Sequence, residues 1–323
     1  MGLKKAAECI KRNKNFLITS HTNPEGDALG SELSFYFLLK ALGKSARIVN
    51  DDAIPYGYEL MPGAKNIIRY KKGLRGFDFG CFAILDCSDL KRCGNVYKLN
   101  RQENTILNID HHISNSGFGH VNWIEPHASS SAEMVFWLYK YFKVAFKKET
   151  ATLLYTGIMT DTGSFRYGNT SSETHKIAAE LLKHGVDVTG VYRQLYENKP
   201  FGDLKQLAKI LASVRRCSSG RIAWFELGCG SLKNKRFSFD LGEVIMGFAR
   251  TIKNVEVAAV FKEACPGKKP HVRVNLRSQG RVDVNRIANF FGGGGHKAAS
   301  GCTVDGTLAE VKKKVLSRIK ENL

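Results

Sequence analysis

Thr105-Ile106-Leu107-Asn108-Ile109-Asp110-His111-His112 is the stretch on which the rest of the reading turns. It is a short apolar run that breaks off on a carboxylate and two imidazoles. Such a run has the length of a buried strand. In an α/β sheet the groups that bind ligands stand at the carboxyl ends of strands. Two upstream stretches repeat the pattern. Asn15-Phe16-Leu17-Ile18-Thr19-Ser20 reads as a strand ending at His21, and Phe82-Ala83-Ile84-Leu85 as one ending at Asp86. Ala46-Arg47-Ile48-Val49 supplies a further strand. From Gly26 onward Leu29, Leu33, Phe37, Leu38 and Leu42 recur at helical spacing until Gly43 stops the helix. Apolar strands alternating with amphipathic helices predict an α/β fold with a doubly wound parallel sheet.

Downstream, Met134, Trp137, Leu138 and Tyr141 form an apolar stripe with the spacing of a core helix. Glu149 to Met159 reads as a helix leading into Asp161, and Ser172 to His184 as another. Residues 187–213 carry polar and basic character with Pro200 and Gly202, which suits a helical linker. A smaller C-terminal α/β domain is expected over 214–323, after a first domain over 1–186. In it Arg221–Leu227, Val255–Phe261 and His271–Leu276 alternate like strands, and Val284–Phe291 like a helix. Thr307 and Glu310 form a capping box for a closing helix, with Leu308, Val311, Val315 and Ile319 as its buried stripe.

Composition sets the class. The 323 residues are enough for two domains with their own cores, and 43% hydrophobic with 24% charged residues is globular. No apolar run approaches the ~20 residues of a membrane span. The N-terminal stretch, with Lys4, Lys5, Lys11, Arg12 and Lys14, lacks the apolar region of a secretory signal. The eight cysteines include no C-x-x-C pair, so neither a zinc site nor a disulfide framework is indicated, and a reducing cytoplasm is expected. The net charge is +19, and residues 214–323 hold 21 basic against 9 acidic residues, or +12, leaving +7 for 28 and 21 in residues 1–213. Basic surfaces are often merely solvated, but this asymmetry also suits a polyanionic partner.

Taken together, His21, Glu25, Asp27, Asp86, His111 and Asp161 supply four carboxylates and two imidazoles. Four negative charges balance two dications, and one carboxylate can bridge ions ~3.5–4 Å apart. Mixed histidine and carboxylate ligation suits Mn²⁺ or another first-row ion better than Ca²⁺, with Mg²⁺ or Co²⁺ as alternatives. Taken singly each piece is weak, since an aspartate after a strand is often only a helix N-cap. Gly292-Gly293-Gly294-Gly295-His296 is read separately. Consecutive glycines let backbone amides approach an anion closely, and a helix start there would add a favourable dipole. The plain alternative is a flexible loop. In the most basic third of the chain, beside Arg273, Arg277 and Lys297, the run is read as a clamp: its amides and His296 grip a terminal phosphate, and Arg277 pairs with another. Phe165, Tyr167, Phe290 and Phe291 are candidates for base stacking, although most aromatics at such positions are core.

These motifs, in this order, carry a family resemblance. His21-Thr-Asn-Pro-Glu-Gly-Asp27-Ala-Leu-Gly30-Ser31, Asp86 within Leu-Asp-Cys-Ser-Asp, Asp110-His-His and Gly157-Ile-Met-Thr-Asp161-Thr-Gly-Ser-Phe resemble the four motifs of the DHH phosphoesterase family. Gly292-Gly-Gly-Gly-His296-Lys-Ala-Ala-Ser-Gly301 resembles the signature of its DHH-associated C-terminal domain. In length and domain spacing the chain is most similar to the bacterial branch that degrades very short oligonucleotides and dephosphorylates 3′-phosphoadenosine 5′-phosphate. The resemblance implies one metal on His21, Glu25 and Asp86 and a second on Asp27, Asp86, His111 and Asp161, with Asp86 bridging. It implies in-line attack on phosphorus, with Asp86 and His112 catalytic, His112 facing the substrate phosphate or leaving oxygen, and Asp110 orienting an imidazole. The family usually has Asp where this chain has Glu25, which puts rate and metal preference, not reaction class, in question.

The expectation is therefore a metal-dependent hydrolase of short 5′-phosphorylated single strands of RNA or DNA, or of a nucleotide, held between two domains, with homodimerisation left open. A phosphodiesterase acting on cyclic or linear dinucleotides is the chemical alternative. A nucleic-acid-binding protein with an impaired site is the alternative of a different class, and it predicts salt-sensitive binding without turnover.

Overall fold

Asn15–Thr19 (β1), Ser45–Asn50 (β2), Ile67–Arg69 (β3), Cys81–Leu85 (β4), Thr105–Asp110 (β5) and Val121–Ile124 (β6) pair in the order β3-β2-β1-β4-β5-β6. Every pairing is parallel. This is the doubly wound arrangement the strand pattern predicted, and it places the reversal of strand order between β1 and β4. The computed structural model describes residues 2–74, 77–100, 104–228, 241–264 and 270–323.

β4 is buried along its whole length and β1 along all but its first residue, as expected for strands covered on both faces. One face meets Gly2–Arg12 (α1), Gly26–Ala41 (α2), Ser131–Phe142 (α3), Lys148–Asp161 (α4) and Ser172–Leu182 (α5) around Ile18, Leu29, Leu33, Leu85, Ile109, Leu138 and Leu154. The other face, with Leu17, Phe82, Ile84 and Ile106, is covered by irregular chain and by the 3-10 turns of Leu90–Leu99.

α2 lies at the centre of this unit. It is buried from Gly26 to Phe35, including Asp27, Ser31, Glu32 and Ser34. Its apolar stripe is legible in the sequence; its buried polar residues are not, because they are held by tertiary partners described below. Gly26 and Gly30 let α4 approach closely: a Cβ on Gly30 would stand 2.6 Å from the Leu153 carbonyl oxygen. The chain divides into two compact units, Met1–Asn198 and Lys199–Leu323. Within residues 187–213, Val188–Tyr196 (α6) sets Val191 and Leu195 against the first core. Phe201–Ala212 (α7) buries Leu207 and Ile210 with the second unit.

The second unit holds Arg215–Arg216 (β7), Ile222–Leu227 (β8), Val257–Glu263 (β9), His271–Ser278 (β10), Gly294–His296 (β11) and Ala299–Asp305 (β12), ordered β11-β12-β10-β9-β8-β7. Only β8 and β9 pair in parallel. Val272, Val274 and Leu276 of β10 point to a core closed by Val284–Phe290 (α9) and Leu308–Lys320 (α10). Leu241–Arg250 (α8) packs Ile245 and Met246 on the opposite face with α7. Thr307 accepts from the Glu310 amide and Glu310 accepts back from Thr307, the expected capping box.

Six described cysteines are free thiols, while Cys229 and Cys265 lie outside the described residues. Among the described residues no helix is long and apolar enough to cross a membrane.

Candidate metal centre

His21 follows β1 and Asp86 follows β4, so the switch point of the sheet carries an imidazole and a carboxylate side by side. Asp86 occupies the left-handed backbone region (φ 52°), unusual for a residue other than glycine, and its amide donates to the Ile109 carbonyl at 3.0 Å. β5 ends in Asp110 and passes directly into His111 and His112. Glu25 precedes the first turn of α2 without a side-chain capping bond, Asp27 lies in that turn, and Asp161 is the last residue of α4.

All six expected ligands come together. His21, Glu25 and Asp86 bring ligand atoms within 4.8 Å of one another, and so do Asp27, His111 and Asp161. His111 Nε2 stands 3.6 Å from Asp86 Oδ1, 3.6 Å from Asp161 Oδ2 and 3.8 Å from Asp27 Oδ2. His21 Nε2 stands 3.6 Å from Asp86 Oδ2. These separations are long for hydrogen bonds. They fit the edges of a coordination shell, since two atoms each ~2.1 Å from an ion and ~90–120° apart lie ~3.0–3.6 Å from one another. Asp86 turns one oxygen to each imidazole, which is the arrangement a bridging carboxylate needs. Glu25, longer than the usual aspartate, reaches the cluster with His21 and Asp86.

The tautomers agree with ligation. A carbonyl oxygen only accepts, so His21 Nδ1 donates to the Thr22 carbonyl at 2.8 Å and His111 Nδ1 to the Ala128 carbonyl at 3.2 Å. Each ring thereby turns Nε2 toward the carboxylates. Without cations the carboxylates repel. Burial and the charges of Asp86 and Asp161 push Asp27 well above the usual carboxylate range, and burial carries Asp161 to about 6. Burial opposes protonation of His21 and His111, yet the surrounding carboxylates outweigh it and raise each to about 9. Burial likewise works against ionised Asp86, but its imidazole neighbours hold it below its ordinary value. In this state protons stand where cations would balance the charge.

His112 Nδ1 lies 3.7 Å from Asp86 Oδ1, and Asp86, His111 and His112 form a third group whose ligand atoms lie within 4.8 Å of one another. The same Nδ1 is 2.7 Å from Asp110 Oδ1, and the second Asp110 oxygen accepts from Asn115 at 2.6 Å. Asn115 also donates to Asn108 Oδ1 at 2.8 Å. Asp110 is fully buried and holds the His112 ring through Nδ1, so the pair is a fixed carboxylate–imidazole unit.

Sequence reasoning missed the chain from Ala128 to Glu133. Ser131 N and Ala132 N, at the amino end of α3, donate to the two Asp27 oxygens at 2.7 and 2.8 Å. Ser131 Oγ donates to Asp86 Oδ1 at 3.1 Å. Asn169 donates to the Ser129 carbonyl at 2.9 Å and to Asp161 Oδ2 at 3.2 Å. Glu133 Oε2 accepts from the Ser129 amide and hydroxyl, and Ser130 Oγ caps the helix. The Ser130-Ser-Ala-Glu133 spacing is the one local signal that marks this helix start.

In the second unit the tetraglycine does not begin a helix, as the sequence reading had it. Gly292 (φ 74°) ends α9, and Gly294–His296 forms an exposed edge strand on β12, so the helix end beside the run is the carboxyl, partially negative end of α9 and adds no attraction for an anion. Gly293, just before that strand, lies under the Gly301 carbonyl, where a Cβ would stand 2.2 Å away, so the pairing with β12 needs glycine there. His296, Ala299 and Arg277 share one rung of the sheet, so His296 and Arg277 project from the same face across a small residue. Arg281 pairs with Glu256 and reads as surface charge. Of the aromatics, Phe165 packs between Tyr155 and His175, Phe291 joins the second core, and Tyr167 and Phe290 are exposed.

Residues 15–158 match the DHH family, N-terminal domain, and residues 240–323 match the DHHA1 domain. The bifunctional oligoribonuclease and PAP phosphatase NrnA of Thermus thermophilus is 32% identical, over 99% of this chain and 94% of that protein. The chain belongs to the DHH family. A probable bifunctional oligoribonuclease and PAP phosphatase NrnA of Streptococcus mutans is 28% identical over 90% of each chain. The crystal structure of an exopolyphosphatase-related protein from Bacteroides fragilis superposes with a TM-score of 0.88 at 28% identity, covering 99% of this chain and 96% of that one. As a DHH-family member, the chain is a phosphoester hydrolase whose histidine and carboxylate groups can hold metal.

Proposed function

We propose that this DHH-family protein removes nucleoside monophosphates from very short 5′-phosphorylated oligonucleotides and releases the 3′-phosphate of 3′-phosphoadenosine 5′-phosphate. The observation that carries the reading is the convergence of His21, Glu25, Asp27, Asp86, His111 and Asp161 beside the fixed Asp110–His112 pair. The names of the full-length relatives supply the substrate class. His21, Glu25 and Asp86 would hold one divalent ion, and Asp27, Asp86, His111 and Asp161 the other. Metal held by these residues would supply water activation and charge neutralisation at the phosphoryl group, and the histidine-carboxylate set favours Mn²⁺.

The chain's own residues do the rest. Asp86 holds the two halves of the cluster in register. His112, oriented by Asp110, protonates the leaving oxygen through Nε2. In the second unit Arg277 and His296, on one rung of the sheet, bind a further phosphate; the Gly292 and Gly293 amides are already donated to the Asn289 and Ala288 carbonyls. A small basic unit suits a substrate of few nucleotides, whereas long strands favour an extended basic channel. The free thiols among the described residues support a reducing cytoplasm as its compartment. Hydrolysis of 5′-phosphorylated diadenylate with Mn²⁺ or with EDTA, alongside Asp86→Asn, tests the proposal. Adenosine monophosphate formed only with metal and only by the parent supports it. Tight substrate binding without turnover would favour a binding protein instead.

A further inference from the structure

We propose that Ser131 is a positioning residue that holds the Asp86 carboxylate in its two-sided orientation and thereby sets the affinity of the His111 side of the cluster; this rests on the metal reading above. Asp86 Oδ2 faces His21 Nε2 and Oδ1 faces His111 Nε2, each at 3.6 Å. The two oxygens face different imidazoles, so a donor bound to Oδ1 alone steers that oxygen first and, with it, the ion expected on the His111 side. Ser131 Oγ donates to Oδ1 at 3.1 Å, on the His111 side. The hydroxyl is itself immobile: Ser131 is fully buried in the first turn of α3, with its backbone amide bound to Asp27. One residue therefore ties Asp27 and Asp86, both expected on the His111-side ion, to the same helix end. A hydroxyl donor can do this without cost to ligation, since it occupies one lone pair of Oδ1 and leaves the other for an ion.

The alternative is a plain helix-end role, and Ser130 separates the two. Ser130 Oγ accepts from the Glu133 amide and caps α3, whereas the hydroxyl that reaches Asp86 is that of Ser131. The experiment is calorimetric titration of Mn²⁺ into the metal-free full-length protein, with reference variants that mark the two sides: Glu25→Gln for His21 and Asp161→Asn for His111. Loss of a group that orients a ligand costs ~10–100-fold in metal affinity. Ser131→Ala is expected to weaken one binding step by about tenfold or more, in the pattern of Asp161→Asn, and to leave the other within about twofold. Ser131→Thr, which keeps a hydroxyl, is expected to retain both steps. A folded Ser131→Ala variant that binds like the parent, or loses both steps equally, overturns the proposal. So does Ser130→Ala producing the same one-sided loss. If Ser131→Ala does not fold, one-sided weakening in a folded Ser131→Thr with the hydroxyl present also overturns it. Parent protein that takes up no Mn²⁺ overturns the metal reading and the proposal with it, whereas two ions in the parent with an unchanged Ser131→Ala sinks this proposal alone.

Discussion

Gly157 of α4 lies against Asp27 of α2 with no room for a side chain: a Cβ would stand 3.0 Å from Asp27 Oδ1 and 2.6 Å from the Ala132 Cβ. The glycine thus belongs to the metal centre without carrying a ligand. In an exposed helix, glycine to alanine gains up to ~1 kcal/mol. Here the sign reverses. Gly157→Ala is expected to cost on the order of 1–3 kcal/mol through overpacking, and to displace Asp27 from the α3 amides. Thermal unfolding and the Mn²⁺ stoichiometry of the variant check it; a stabilised variant with full metal uptake would remove Gly157 from the site.

The Asp110–His112 pair offers a test that tells proton transfer from metal holding. Replacing His112 with Ala is expected to lower kcat by ~10²–10⁴ with both metal-binding steps retained, because His112 Nδ1 is committed to Asp110. Asp110→Asn removes the acceptor that fixes the ring, and should lower kcat while leaving KM nearly unchanged. Steady-state kinetics with calorimetry on the same preparations decides the matter. Loss of metal with loss of His112 would make this residue a ligand.

How far the sequence could carry the reader depends on whether a group is placed by its own element or by another. His21, Asp86 and His111 sit where strands end, and strand ends are legible from apolar runs, so the sheet and most of the cluster were visible in advance. Ser131, Asn169 and Asn115 act through contacts with residues 45, 8 and 5 positions away, and no periodicity announces those. The tetraglycine shows the opposite failure. Its composition allows loop, helix start or strand equally, and the choice fell to pairing with β12, a strand the sequence reading did not include. α2 was legible as a helix from Leu29, Leu33 and Leu38, while its burial on all sides through Phe35 depends on Gly26, Gly30 and Gly157 admitting α4.

The rung shared by Arg277 and His296 predicts a contribution to substrate affinity rather than to chemistry. Arg277→Ala is expected to raise KM about 10- to 100-fold, the cost of one or two charged hydrogen bonds, with kcat little changed. The penalty should shrink for a dinucleotide lacking its terminal phosphate, and raising salt should weaken the parent more than the variant. Equal losses on phosphorylated and unphosphorylated substrates would mean that Arg277 does not hold that phosphate.

Glu32 predicts an unusual dependence of stability on pH. It is fully buried on α2, and Asn50 Nδ2 donates to its Oε2 at 2.8 Å. Burial raises its pKa from 4.5 to about 8, against the Asn50 hydrogen bond that favours the charged form. Between those values the folded protein keeps a proton that the unfolded chain has lost, so stability falls as pH rises. The contribution is intact below about 4.5 and is lost as pH climbs to about 8, at up to ~1.4 kcal/mol per pH unit. Glu32→Gln cannot ionise, and its amide oxygen still accepts from Asn50. In urea unfolding of the metal-free protein the variant should gain on the parent between pH 5 and pH 8, by up to roughly 3–4 kcal/mol. A constant difference at both pH values would show that Glu32 folds in its charged form, with Asn50 and the charge of His21 sufficient to hold it.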